Sequence, residues 1–261
     1  MLLYDHIRYA AKWVICGDFP SHPDTILFKS EYYTNPIREK HIWTFYDLIR
    51  PKILPVLKDF PLFIYIATDS TFIIKRHQTE DFITVSNKEE FDKINNGRTV
   101  EFHIATPTKS AKQWIDIDPG NDVEFAEVKE ITLETADALK KVAKVSHYLF
   151  TGSRGFYLEM DLSTKRNTND FRNEVSDFLK EHYVDSSSVV FKKPSKDQIR
   201  IDFTPIKDFG GHRATFSLAA VKLTGLVCVP IDKVQVRRFR KEQATIPNVV
   251  KKFTGKSCKI D

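Results

Sequence analysis

"AKQWIDIDPG", residues 111–120, decides how this chain is read. Alternate side chains of a strand point to opposite faces, so Asp116 and Asp118 share one face while Ile115 and Ile117 share the other. The isoleucine face belongs against a core. The aspartate face carries two like charges about 7 Å apart. Two explanations fit that spacing: an edge strand whose polar face meets solvent, or a divalent cation that offsets the repulsion between the carboxylates. Pro119 and Gly120 then end the strand in a turn.

With 261 residues the chain can form one large domain or two intimate modules. Its 41% hydrophobic content, with 20 Phe and only 9 Gly, excludes disordered and fibrous classes. The cysteines Cys16, Cys228 and Cys258 lie far apart with no C-x-x-C pair, which predicts neither a structural zinc nor a disulfide framework. A reducing, cytoplasmic setting is expected. The opening "MLLYDHIRYAAKWVI" carries Asp5, Arg8 and Lys12 where a signal peptide needs an unbroken apolar core. No apolar run approaches the length of a membrane span, so no membrane is expected as a partner.

The net charge of +5 is unevenly spread. "FKKPSK" (191–196), "VQVRRFRKEQ" (234–243) and "VVKKFTGKSCK" (249–259) gather Lys and Arg in the C-terminal third. Such runs serve as solvated faces or as salt-sensitive contacts to a phosphate backbone.

Periodicity sorts the rest. The first 35 residues read as short helical and irregular pieces. Apolar positions Ile42, Phe45, Tyr46 and Ile49 predict a helix within 38–60, interrupted at Pro51 and Pro55. Strands are expected at 61–68 and 71–76, joined by a turn at "DS", and at 99–106 and 112–118. A short helix within 86–96 takes a Ser or Asn cap, and Asn-Gly at 96–97 reads as a turn. A further helix is expected over 132–145 with Thr132 as its cap, and another over 168–183. Residues 146–162 read as strand, glycine turn, strand; 188–193 and 198–203 as strands; 216–231 as a compact β segment. A last helix begins at "TIPN" with proline in its first turn. Helices and strands mix without strict alternation, which predicts an α+β fold.

Three features carry chemistry together. The first is the pair Asp116 and Asp118. The second is "TGSRGFY" (151–157), where Gly152 and Gly155 permit a tight turn and Ser153 and Arg154 supply donors for an anion. Taken alone, it is also simply a hairpin turn that needs glycines. The third is Asp202 in "QIRIDF", within a strand remote in sequence from the first pair. Phosphoryl transfer by two metal ions uses carboxylates from separate strands converging on ions about 3.5–4 Å apart. It also needs cationic groups to hold the phosphates, because its catalysis is mainly positioning and charge neutralisation.

In this combination the chain resembles the archaeo-eukaryotic primase superfamily, which includes small primase subunits and the polymerase domain of bacterial ligase D. The resemblance runs from about residue 38 to 250. "WTFYDLIRPKILPVLKDFPLFI" looks like the ligase D segment leading into "LP-hL-x-x-x-P-L", and "TVEFHIATP" is similar to its "E-L-H-x-W". "IDIDPGNDVEF" resembles the first superfamily motif, "hDhDPG-x-x-V-x-F". "TGSRGFYLEM" resembles the second, "S-G-x-[RK]-G-h-H", and "IRIDF" the third, "h-h-D". "FSLAAVKLTGLVCVPID" resembles the primase stretch "h-S-h-H-x-K-T-G-h-h-x-V-P-I".

The resemblance implies Asp116, Asp118 and Asp202 as catalytic residues and ligands of two Mg²⁺ or Mn²⁺ ions. Ser153, Arg154, Gly155 and Tyr157 would lie at the nucleotide, with His103 and Lys222 as further phosphate contacts. Lys222 stands in "K-L-T-G", one residue longer than the family's "K-T-G". Two positions depart from the pattern: Tyr157 and Ala219 stand where relatives have histidine. Tyrosine stays neutral near pH 7, so nucleotide grip is either weaker or restored by Lys222 or Arg213; equally, Tyr157 is a packing residue.

The implied function is template-directed addition of NTPs or dNTPs to a 3′-hydroxyl, in primer synthesis or in end repair and gap filling. A DNA template and primer are the implied partners, with a ligase, helicase or primase large subunit as possible protein partners. The implied architecture is two α/β modules around a cleft, about 1–110 and 111–261, the second resembling an RNA-recognition sheet. The missing histidines motivate an alternative, a catalytically weakened nucleic-acid-holding subunit. A D-x-D glycosyltransferase accounts for neither Asp202 nor the glycine–arginine turn.

Overall fold

The computed structural model describes residues 22–58, 60–67, 72–75, 77–78, 81–95, 99–106, 109–203 and 212–260. The expectations for residues 1–21 and for the turns at 69–70 and 96–97 lie outside the described residues. The main strands, in chain order, are β1 (Leu62–Ala67), β2 (Phe72–Lys75), β3 (Thr99–Thr106), β4 (Lys109–Pro119), β5 (Lys144–Phe150) and β6 (Phe156–Asn167). They continue with β7 (Val189–Val190), β8 (Ile199–Asp202), β9 (His212–Ala220) and β10 (Val229–Ile231). The helices are α1 (Glu39–Leu57), α2 (Lys88–Ile94), α3 (Phe125–Leu139), α4 (Thr168–His182) and α5 (Ile246–Thr254). Among these helices none is long and apolar enough to cross a membrane.

The chain divides into two compact units. One comprises the residues up to Ile104 with Leu218–Val227 and Ala244–Asp261; the other comprises Ala105–Ser217 with Cys228–Gln243. The expected modules 1–110 and 111–261 take no account of the two segments by which the chain returns to the first unit.

In the first unit, α1 buries Ile42, Phe45, Tyr46, Ile49, Ile53 and Leu57 along one stripe. Tyr46 stands edge-on to Phe102 of β3 with ring centroids 5.2 Å apart, and Phe102 stacks on Phe91 of α2 at 5.3 Å. The Tyr46 hydroxyl donates to the Val100 carbonyl at 2.6 Å, which satisfies the polar end of a buried ring. Contrary to expectation, Pro51 and Pro55 do not interrupt this helix. Both are exposed and four residues apart, so the carbonyls they leave without an N–H face water. β3, β1 and β2 pair antiparallel in a sheet ordered β9–β3–β1–β2. Asn87 caps α2 by accepting from the Glu90 N–H at 2.9 Å, as expected of that residue.

The returning segment closes on this unit through backbone and turn. The Val221 N–H donates to the Val100 carbonyl at 2.7 Å, and Lys222–Gly225 forms a turn with Gly225 at φ +79°. A Cβ at Gly225 would stand 2.7 Å from the Tyr33 ring, so glycine is required both for the left-handed backbone and for the approach. Tyr33 Oη donates to the Gly225 carbonyl at 2.7 Å and accepts from the Ile246 N–H at 2.8 Å.

The second unit is a sheet ordered β7–β8–β4–β6–β5–β10. β4 is antiparallel to both β8 and β6, and β6 is antiparallel to β5. The order of elements β4–α3–β5–β6–α4–β8 therefore forms two interleaved split β-α-β units. α3 and α4 both pack against β4 and β6. Ile115, Ile117, Phe156, Leu158, Met160, Ile199 and Ile201 are buried at alternate positions and share one face by register. α3 starts at Phe125, directly after the "DPGN" turn, and ends at Leu139. Thr132 is therefore not its cap: it lies mid-helix, buried, and its hydroxyl donates to the Val128 carbonyl four residues back at 2.7 Å.

Candidate active site

The register of β4 brings the three predicted aspartates to one face of the second unit's sheet. Asp202 of β8 lies directly opposite Asp116, and Arg200 directly opposite Asp118. Tyr157 of β6 lies opposite Asp116 on its other side. Residues paired across an antiparallel ladder point to the same face with Cα atoms about 4.5–5.5 Å apart. The residue pattern that buries Ile115, Ile117 and Ile201 thus collects Asp116, Asp118, Asp202, Arg200 and Tyr157 on the reverse.

The carboxylates have distinct surroundings. Arg200 Nη2 lies 3.1 Å from Asp118 Oδ2 and 3.6 Å from Asp116 Oδ2. Asp202 Oδ1 accepts from the N–H of its neighbour Phe203 at 2.7 Å. Asp116 and Tyr157 are buried, whereas Asp118 and Asp202 are partly exposed. Among the described residues no three His, Cys, Asp or Glu side chains are gathered closely enough to hold a metal ion. The donor set still suits Mg²⁺ or Mn²⁺, which take hard oxygen ligands, and all three carboxylates share one face. The positive charge beside the Asp116–Asp118 pair is a guanidinium.

Two glycines seat the loops at this end of β4. A Cβ on Gly155 would lie 2.0 Å from the Ile117 carbonyl oxygen, so only glycine lets the 151–155 turn cross the strand between the aspartates' flanking residues. A Cβ on Gly120 would lie 2.3 Å from the carbonyl oxygens of Ser195 and Lys196. The Gly120 N–H donates to the Gln198 carbonyl at 2.7 Å, tying the turn after β4 to the entry of β8. Arg154 donates through Nη1 to Asn121 Oδ1 in that same turn. The Ser153 N–H is directed to Thr151 Oγ1 at 3.3 Å, and the Thr151 N–H to the Gly155 carbonyl at 3.1 Å. The Ser153, Arg154 and Gly155 turn therefore lies beside the end of the strand that carries Asp118.

His103 and Lys222 belong to the first unit, where Glu101 joins them. Glu101 and His103 alternate on one face of β3, with His103 Nε2 2.6 Å from Glu101 Oε2. Lys222 Nζ, brought back by the 222–225 turn, lies 2.5 Å from the same oxygen. Burial pushes the Glu101 carboxyl up, but the Lys222 charge and the His103 hydrogen bond outweigh it and leave the group at about 2. Burial lowers His103 below the ordinary histidine range despite the opposing pull of Glu101. The extra residue in "K-L-T-G" thus does not prevent Lys222 from meeting the histidine-bearing strand.

The basic run 234–243 is largely answered by acidic or aromatic partners within the second unit. Arg237 binds both carboxylate oxygens of Glu130 at 3.0–3.2 Å, Lys233 pairs with Asp137, and Lys241 Nζ lies 4.9 Å from the Phe125 ring centroid. This run docks on α3. Two residues that the sequence reading passed over, Arg200 and Glu101, stand two positions before Asp202 and His103. Strand alternation places each on the same face as its neighbour, and that was the available signal.

A family profile described as "LigD, primase-polymerase domain" matches residues 40–259. No curated protein matches the chain in a sequence search. Among solved structures, the chain resembles the "Polymerase Domain from Mycobacterium tuberculosis Ligase D in complex with DNA" with a TM-score of 0.70 at 13% identity. That alignment covers 88% of this chain and 93% of the mycobacterial one. The α+β fold is therefore that of the ligase D polymerase domain. With the family profile spanning most of its length, the chain belongs to the LigD primase-polymerase domain family of the archaeo-eukaryotic primase superfamily.

Proposed function

We propose that this chain is a template-directed nucleotidyltransferase that adds NTPs or dNTPs to a 3′-hydroxyl in the repair of DNA ends. The observation that carries this reading is the register that sets Asp202 opposite Asp116, with Asp118 two residues along on the same face. Membership in a nucleotidyltransferase family supports it. The mycobacterial relative's structure contains DNA, which supports a primer–template duplex as the partner here. The split β-α-β sheet of the second unit corresponds to the RNA-recognition-like module of the superfamily.

Asp116, Asp118 and Asp202 would hold divalent ions, which supply charge at the attacking oxygen and at the departing pyrophosphate when bound. The chain's own residues would position the nucleotide. Ser153 and Arg154 offer a hydroxyl and a guanidinium to its phosphates beside the end of β4. Gly155 keeps the turn against the strand. Lys222 provides a fixed positive charge, and Glu101 holds both it and His103 in place. Tyr157 presents a neutral ring beside Asp116, so Arg154 and Lys222 would supply the positive charge that relatives obtain in part from histidine.

Purified protein with Mn²⁺ is expected to extend a labelled primer on a template, and Asp116→Ala to abolish extension while DNA affinity stays equal or rises. Extension that survives in Asp116→Ala would refute this site. Ribonucleotides supplied with template alone separate primer synthesis from primer-dependent repair.

A further inference from the structure

The acidic face of the second unit already contains a cation of its own. Arg200 reaches both Asp116 and Asp118 through a single nitrogen, Nη2, at 3.6 and 3.1 Å. A guanidinium stays protonated at any pH relevant to proteins, so this charge cannot be removed by titration. Its hold is nevertheless incomplete. Arg200 Nε–H is buried and finds no acceptor among the described residues. The planar fork of an arginine is best satisfied by two parallel bonds to one carboxylate or phosphate, and neither contact here has that form.

These facts set up a competition. A divalent ion taken up between Asp116 and Asp118 would meet a unit positive charge already bound to the same oxygens. At about 4 Å and in a water-like dielectric, that repulsion corresponds to a roughly thirtyfold loss of ion affinity. Nucleotide phosphates would relieve it, because they offer the guanidinium a bidentate partner with more charge than a carboxylate.

We propose that Arg200 is an exchangeable counter-ion. It pairs with Asp116 and Asp118 in the free protein and releases them to a divalent cation when nucleotide phosphates take the guanidinium, so that ion and nucleotide bind cooperatively. The inference rests on the assignment of these carboxylates as ion ligands. By linkage the coupling is reciprocal, and the ion tightens nucleotide binding by the same factor. Free protein is then kept from loading ions without substrate. Arg200 acts here as a positioning residue for the ion site.

Mn²⁺ binding, followed by electron paramagnetic resonance without nucleotide, tests this directly. Arg200→Gln is expected to bind Mn²⁺ about ten- to thirtyfold more tightly than the wild-type protein. Arg200→Lys, which retains the charge, is expected to gain far less. Equal Mn²⁺ affinity in wild type and Arg200→Gln, or an equal gain in both variants, would overturn the proposal. Adding Asp116→Asn to Arg200→Gln should remove the gained binding; persistence would show that the ion lies elsewhere and would overturn the assignment of the carboxylates as well. A second measurement uses the unmodified protein: the ¹⁵Nε–H resonance of Arg200 should shift when Mg²⁺ is added with a non-hydrolysable nucleotide. A full shift with Mg²⁺ alone would contradict the exchange.

Discussion

Glu101, His103 and Lys222 show how much chemistry depends on a residue whose role is visible only through its partners. Glu101 is buried almost completely, yet its carboxyl is held at about 2 because Lys222 and His103 converge on one oxygen. The sign of the pH effect follows. The stability contributed by Glu101 is fully present above its ordinary value of 4.5 and is lost only as pH falls through about 2. His103 acts at higher pH. Its folded form is lowered from 6.5, so the unfolded chain binds a proton first, and stability declines as pH falls below about 6.5. Denaturant melts at about pH 7 and pH 5 should show this loss in the wild-type protein. His103→Asn should show a smaller difference between the two pH values, and an unchanged difference would place the titrating group elsewhere. Asp116, Asp118 and Asp202 were legible as residues because a D-x-D inside an apolar strand demands an explanation. Arg200 and Glu101 were not, because a charged residue at an alternate strand position is ordinary until the facing strand is known.

At the scale of elements, period and capping located most helices and strands, and the errors share one cause. Pro51 and Pro55 were read as breaks because each removes a backbone donor. Both fall on the exposed side of α1, where water replaces the lost bond, and the buried stripe through Ile53 and Leu57 carries the helix onward. Proline in a helix interior is about 3 kcal/mol worse than alanine, offset in part by its smaller unfolded-state entropy. Pro51→Ala is therefore expected to stabilise the protein by roughly 1–2 kcal/mol, seen as a rise in Tm. A fall in Tm would mean that the helix does not run straight through this position. Thr132 was misplaced for the opposite reason: it has the chemistry of a cap, but its hydroxyl is occupied by the carbonyl one turn back. The "DPG" turn was readable as a turn. What it serves was not, since the 2.3 Å approach of Gly120 to the 195–196 backbone joins segments far apart in sequence.

At the scale of the whole molecule, motif order was more informative than any single motif, and the LigD primase-polymerase family profile spans the same region as the resemblance read from the sequence. The return of Leu218–Val227 and of the C-terminal segment to the first unit escaped the sequence reading. It depends on non-local pairings such as Val221 with Val100, which leave no periodic trace. Charge likewise needed the fold. The 234–243 run reads as a nucleic-acid contact by composition, but Glu130 and Asp137 answer Arg237 and Lys233.

The central claim is that an aspartate from β8 and two from β4 act as one nucleotidyl-transfer site. Primer extension by Asp202→Ala, with DNA affinity measured on the same preparation, tests it most directly. The account predicts that extension falls to background while duplex binding is retained or strengthened. Extension at the wild-type rate in that variant would contradict it.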